Sequence, residues 1–170
     1  MRDSPFEIAL RPKTCTLKLS MLKFTQQTGS TAQKEITRMA DGRNPFILLA
    51  RITVKEGMVD EYLKIASAAD KSVQATEEGM LFHNFDSDPD DPNKFVWTEI
   101  YRKSQDFLFH ADNPPVQDYI EKHSKLAVDF SIEIYGNVSQ EVIDKINSLE
   151  IPLKHFATTS VGYVRSERFV

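Results

Sequence analysis

Cysteine is nearly absent: Cys15 is the only one in 170 residues, so no intramolecular disulfide and no thiolate-rich metal cluster can form. Its place in an N-terminal head argues against a catalytic thiol, and one thiol permits a reducing compartment without requiring it. Long apolar runs are missing as well. None approaches the roughly 18–20 residues that span a bilayer, and the N-terminus has no uninterrupted apolar core of a secretory signal. The expectation is a soluble cytoplasmic protein with no membrane partner. Histidine is scarce and scattered. No two of the four stand on matching helical turns beside a carboxylate, which leaves no metal site to predict. Nor does one charge sign dominate: 21 basic against 25 acidic residues give a net charge of −4, too little to draw the chain toward nucleic acid.

What is present is enough apolar material, 41% of the chain with 10% aromatic, for one globular domain plus extras. Charge is unevenly spread. Residues 1–44 carry eight Lys/Arg against four Asp/Glu and residues 45–170 carry 13 against 21, balances of +4 and −8 that mark a boundary near Gly42. The head is rich in Ser and Thr. It reads either as a flexible tail, with Met21 as the true first residue, or as a transit peptide that would take the protein to an organellar matrix.

Beyond Pro45, Phe46 to Lys55 reads as a first strand with Phe46, Leu48, Ala50, Ile52 and Val54 on the packed face. Met58 to Glu77 repeats Val59, Leu63, Ala66, Ala69 and Val73 at helical spacing and stops at Gly79. Met80–Asp86 and Lys94–Arg102 read as antiparallel strands. The loop between them is rich in Pro and Asp; Asp86, Asp88, Asp90 and Asp91 lack the glycine and terminal glutamate of a calcium loop and read as a solvated turn. Ser104 is a natural N-cap for a helix that Pro114-Pro115 interrupts before a second stretch to about Leu126. Val128 to Val138 alternates as a fourth strand, with Val128, Phe130, Ile132 and Ile134 on one side. Gln140–Leu149 then reads as a short helix, and His155–Val164 as a further strand or a partner-clasping arm. The order βαββαβ predicts a ferredoxin-like α+β domain over residues 45–138, a four-stranded antiparallel sheet with both helices on one face. The bare face calls for a second copy of the sheet, hence a homodimer.

Alternation puts Phe95, Trp97, Glu99 and Tyr101 on one face of the third strand, and Leu81, His83 and Phe85 on one face of the second. An aromatic floor with one His and one Glu results. Histidine titrates near neutrality, so His83 is the first candidate for a base; a hydrogen-bonded or edge-strand histidine is the plainer reading. A carboxylate among aromatic residues needs a partner, and Arg51, His110 or a backbone amide are the options for Glu99. His123 and His155 read as surface or tail residues.

The run Glu99-Ile-Tyr101-Arg-Lys-Ser-Gln-Asp-Phe107-Leu-Phe-His110, followed by Asn113, Pro114-Pro115-Val116 and Tyr119, resembles the antibiotic biosynthesis monooxygenase family. So do the Ala50-Arg51 strand ending in Lys55-Glu56-Gly57 and the spacing of the first helix and hairpin. The resemblance implies a dimeric α+β barrel whose two sheets enclose small cavities for planar aromatic substrates. It further implies a monooxygenase that uses no cofactor, oxidising a hydroquinone, phenol or anthrone with molecular oxygen. In that reading His83 or His110 is the base, Glu99 orients it, Trp97, Phe85, Tyr101 and Tyr119 hold the ring, and Arg51 stabilises an anion. Haem degradation is disfavoured, because His110 falls where that branch would want a Trp and the first strand offers Ala50-Arg51 without an Asn. The competing readings are a non-catalytic module that binds a small ligand in the same cavity, and a structural dimer organised by its C-terminal arm.

Overall fold

Strict alternation of buried and exposed residues along Phe46–Val54 makes this segment the first strand, β1, with Phe46, Leu48, Ala50, Ile52 and Val54 all buried. It begins at Pro45, near the start of the described part of the computed structural model, residues 44–165 and 168. The head, with Cys15 and Met21, lies outside the described residues. Helix α1 (Val59–Thr76) packs Tyr62, Ala66, Ala69 and Val73 inward, a stripe at three- and four-residue spacing. Tyr62 takes the place expected of its neighbour Leu63, which faces outward. Strands β2 (Met80–Ser87) and β3 (Lys94–Tyr101) form the expected hairpin. The acidic loop between them uses Asp88 and Asp91 to accept its own backbone N–H groups, as a solvated turn does.

The second helical region is broken as expected. Helix α2 (Ser104–Asp112) gives way at Asn113 to α3 (Pro114–Leu126), which starts on a proline whose missing N–H costs a helix nothing at its first turn. Ser104 is not the N-cap. Its hydroxyl instead accepts the N–H of Ser139 at 2.9 Å and ties α2 to the chain beyond the sheet. Strand β4 (Ala127–Tyr135) follows, then helix α4 (Gln140–Ser148) and a last short strand, β5 (Leu153–Phe156).

The sheet order is β2-β3-β1-β4-β5. The first four strands form the antiparallel ferredoxin-like sheet; β5 adds to β4 in parallel. The expected four-stranded antiparallel sheet is therefore corrected to five strands of mixed direction, and the tail extends the sheet. Two irregularities also correct the faces. The register between β2 and β3 shifts between Met80 and Phe82, so Met80 rather than Leu81 packs against the core. A shift opposite Thr53 and Val54 pairs Ala127 with Val54 and leaves Val128 65% exposed, not inward as expected. On the open face stand Ile47, Phe82, Tyr135 and Phe156, the last two stacked at 4.5 Å. Trp97 and Tyr101 point the other way, into the core.

Candidate functional site

Between the sheet and its own helices lies a cavity of about 80 Å³, several times the ~10–15 Å³ that admits one water. Its wall is formed by the strands and helices of one chain. Aliphatic and aromatic groups dominate its wall, and His83, Glu99, His110 and Tyr119 are among the few polar ones. A pocket with a few convergent polar groups in an apolar lining is the usual form of a small-molecule site.

Strand pairing explains how two of these groups meet. His83 on β2 lies opposite Glu99 on β3, and Phe85 lies opposite Trp97, so both pairs project to the helix side. The His83 ring stacks on Trp97 with centroids 4.2 Å apart and planes 13° from parallel. Its Nδ1 is 2.9 Å from Oδ1 of Asp70 on α1. Since a carboxylate only accepts, this contact makes Nδ1 the donor and turns Nε2 away from Asp70. Nε2 is 3.9 Å from Oε1 of Glu99, too long for a hydrogen bond between them. Glu99 is buried, and its Oε2 accepts the Tyr101 hydroxyl at 2.6 Å. Burial first, then the Glu99 charge, pushes the Tyr101 phenol well above its usual range.

His110 is held by a partner the sequence did not suggest. Its Nδ1 donates to Oε2 of Glu77 at 2.9 Å, while Asn113 Nδ2 donates to the other carboxylate oxygen at 2.8 Å. Glu77 is the C-cap of α1, where the helix dipole repels an anion, so these donors hold a charge placed against the field. Burial disfavours the His110 cation, but the Glu77 hydrogen bond and the charges of Glu99 and Glu77 outweigh it and raise its pKa above the usual value. The His110 and His83 rings are 6.1 Å apart.

A second polar chain runs behind the cavity. Trp97 Nε1 donates to the Tyr119 hydroxyl at 2.9 Å, Tyr119 meets Tyr62 at 2.5 Å, and Tyr62 meets Nδ1 of His123 at 2.6 Å. If Tyr119 donates to Tyr62 and Tyr62 to His123, every proton along the chain finds an acceptor. Burial lifts the Tyr119 phenol to about 12 and raises Tyr62 further. His123, expected at the surface, is only 6% exposed, and burial lowers its pKa to about 4. His155 is half-buried, with Nε2 on the Gly136 carbonyl at 2.9 Å.

The fold thus brings together His83, Glu99, His110, Trp97 and Tyr119 at one cavity, with Phe85 and Tyr101 in contact behind them: Phe85 lies against Trp97, and Tyr101 against Glu99 and His110. Arg51 is not with them. It stands on the open face of the sheet, its side chain 53% exposed and paired with Glu133 at 3.4 Å. Asp70 and Glu77 are the residues that sequence reasoning missed. Asp70 is the sole acid between Tyr62 and Thr76 and flanks the apolar stripe, which was the available signal.

Residues 45–122 match the family described as Antibiotic biosynthesis monooxygenase. An uncharacterized protein of Synechocystis sp. is 26% identical over 130 residues, which cover 75% of this chain and 86% of that protein. Among solved structures, a candidate antibiotic biosynthesis monooxygenase from Caulobacter crescentus CB15 is 16% identical with a TM-score of 0.54, covering 58% of this chain and 93% of its own. One from Nitrosomonas europaea is 17% identical with a TM-score of 0.53, at 56% and 91% coverage. At such identities the likeness establishes the fold alone.

Proposed function

The chain carries a domain of the antibiotic biosynthesis monooxygenase family at residues 45–122, and from that premise we propose that the cavity oxidises a small aromatic substrate of phenol, hydroquinone or anthrone type with molecular oxygen and without a bound cofactor. The observation that carries this reading is the Asp70–His83 pair at the wall of an apolar cavity that also reaches Glu99. With Nδ1 committed to Asp70, neutral His83 keeps a lone pair on Nε2 that can take a proton from a substrate hydroxyl. The imidazolium so formed lies near two carboxylates, Asp70 and Glu99. His110, whose pKa is raised by Glu77 and Glu99, supplies positive charge close to the ring anion when it is protonated.

The electron-rich anion passes one electron to oxygen, and the radical pair combines into a hydroperoxide at a ring carbon. Loss of water leaves a carbonyl. The ring gives up two hydrogens and gains one oxygen atom, and the second oxygen atom leaves as water, so no external reductant is needed. The apolar wall of Trp97, Phe107 and Phe130 keeps solvent from the radical pair. Tyr101 holds Glu99, and Tyr119 holds Trp97. A second copy covering Ile47, Phe82, Tyr135 and Phe156 would complete a homodimer, because an apolar patch on a sheet face favours a self-complementary contact.

Oxygen uptake by the purified protein with a panel of hydroquinones, phenols and anthrones tests the reading. His83→Ala is expected to lower turnover by roughly 10²–10⁴-fold, the usual worth of a positioned base. Asp70→Asn is expected to lower turnover with little change in KM, since it acts through His83. Uptake that never exceeds autoxidation for any substrate, with ligand binding retained, would leave a binding module in place of an enzyme.

A further inference from the structure

Three cavity-lining residues, Ile146, Leu149 and Ile151, come from the segment that follows the ferredoxin-like sheet and lies beyond the family match at residues 45–122. They stand on the last turn of α4 and the link to β5. Both ends of this segment are anchored. Val142 and Ile146 of α4 are fully buried, Lys145 pairs with Asp112 of α2, and the Pro152 carbonyl accepts the N–H of Ile132 at 2.8 Å. Between the anchors the chain turns sharply. Glu150 has a φ of 56°, the only non-glycine residue with positive φ among the described residues. A side chain in that region is strained and persists where its surroundings require it. Here the turn lets Leu149 and Ile151, on either side of Glu150, both reach the cavity. Leu149 is 41% exposed, so it stands where the cavity meets solvent.

We propose that residues 146–151 form the size-selecting wall of the cavity, with Leu149 and Ile151 setting how many fused rings a phenolic ligand can bring in. The inference rests on the reading that the cavity takes an aromatic hydroxyl compound. The base, its orienting carboxylate and the stacking Trp come from the common sheet and first helix; the wall comes from the part of the chain that the common domain does not supply. Selectivity in this protein is therefore separable from the chemistry. A helix and link held at both ends can hold a fixed limit where a free tail could not.

Trp97 is the one tryptophan of the chain and lines the cavity, so a single indole N–H resonance reports occupancy. Phenol, 2-naphthol and 9-phenanthrol, with one, two and three rings, are titrated against the full chain while that resonance is followed, and affinities are measured by calorimetry. Leu149→Ala and Ile151→Ala are expected to shift the affinity ratio toward the larger ligands by about tenfold, the scale at which small changes in a hydrophobic pocket discriminate. Leu149→Phe, which fills space, is expected to shift it the other way, a reversal that mere loosening of the fold does not produce. Asn147→Ala, exposed on the same helix, is expected to leave the ratio unchanged. Wild-type binding with the same ratio in all Leu149 and Ile151 variants would overturn the wall and leave the proposed site standing. An Asn147→Ala shift as large as that of Leu149→Ala would overturn it too. A Trp97 resonance that no phenol moves in the wild type would overturn the aromatic-ligand reading together with the wall built on it.

Discussion

Lowering the pH should unfold this protein partly through one histidine that lies outside the cavity. His123 accepts from the Tyr62 hydroxyl in the buried chain that ends at Trp97, and burial lowers its pKa to about 4. Protonation reverses the chain: Nδ1 becomes a donor, Tyr62 must turn toward Tyr119, and the Tyr119 proton loses its acceptor. The unfolded chain takes up this proton near its ordinary pKa, so the stability tied to neutral His123 is present above about pH 6.5 and is lost as pH falls toward the folded value. Between pH 7.5 and 4.5 the loss amounts to about 2.5 kcal/mol. Urea unfolding of the wild type and of His123→Leu at both pH values isolates it. The variant is less stable at pH 7.5 by about 1–3 kcal/mol, because the Tyr62 proton loses its His123 acceptor, but it lacks the His123 share of the acid loss. Contributions of the other carboxylates and of His110 are common to both proteins and cancel in the comparison. Equal acid losses in the two proteins, or a His123 titration near 6.5 by NMR, would refute the argument.

Three further outcomes follow from other parts of the molecule. Glu77→Gln removes the hydrogen-bonded charge that helps to hold the His110 pKa above its usual value; a raised value stabilises the fold below about pH 6.5 and the gain is lost as pH rises through it, so the variant's deficit in urea melts should be largest near pH 6 and shrink toward pH 9. A Cβ added at Gly79 would lie 2.1 Å from Asp106 Cγ, so Gly79→Ala should cost about 1–3 kcal/mol, and Asp106→Gly in the same chain should recover part of it in thermal melts. If the open sheet face joins two copies, Ile47→Glu and Phe82→Glu should halve the mass measured by light scattering while far-UV dichroism stays unchanged.

Period-two alternation made most of the fold legible, since β1 buries Phe46, Leu48, Ala50, Ile52 and Val54 against one layer and a strand in that setting has only one register that works. The same signal fails where both candidates are apolar. Met80 and Leu81 compete for one inward place, as do Ala127 and Val128, and a bulge decides between them through backbone geometry that hydropathy does not record. Hydropathy favours Leu63 over Tyr62 because a polar hydroxyl counts against burial, yet that hydroxyl has two buried partners. His123 reads as a surface residue because a polar imidazole also counts against burial, yet its Nδ1 pairs with Tyr62. That His83, Glu99 and Trp97 share one face follows from alternation, and His110 enters through the family resemblance; all four line the cavity. Asp70 and Glu77 were not legible, because their partners lie 13 and 33 residues away in sequence, and only the packing of α1 on β2 and α2 brings them into reach.

Pairing across elements also dictates how the site can be dissected. Asp70 on α1 meets His83 on β2, Glu77 at the end of α1 meets His110 on α2, and Tyr101 meets Glu99 within β3. Glu77 and Glu99 are buried, where a lone charge would cost several kcal/mol, and removing the partner of such a buried charge commonly costs about 3–5 kcal/mol because the charge is left behind; Asp70, with its side chain 44% exposed, tolerates substitution better. Truncation to alanine at Glu99 or Glu77 would therefore mix lost folding with lost chemistry. Glu99→Gln keeps the shape and an acceptor for Tyr101 while removing the charge beside His83. A folded Glu99→Gln protein that still binds a phenol but no longer consumes oxygen would assign the carboxylate to the reaction, whereas unchanged uptake would assign it to holding Tyr101 alone.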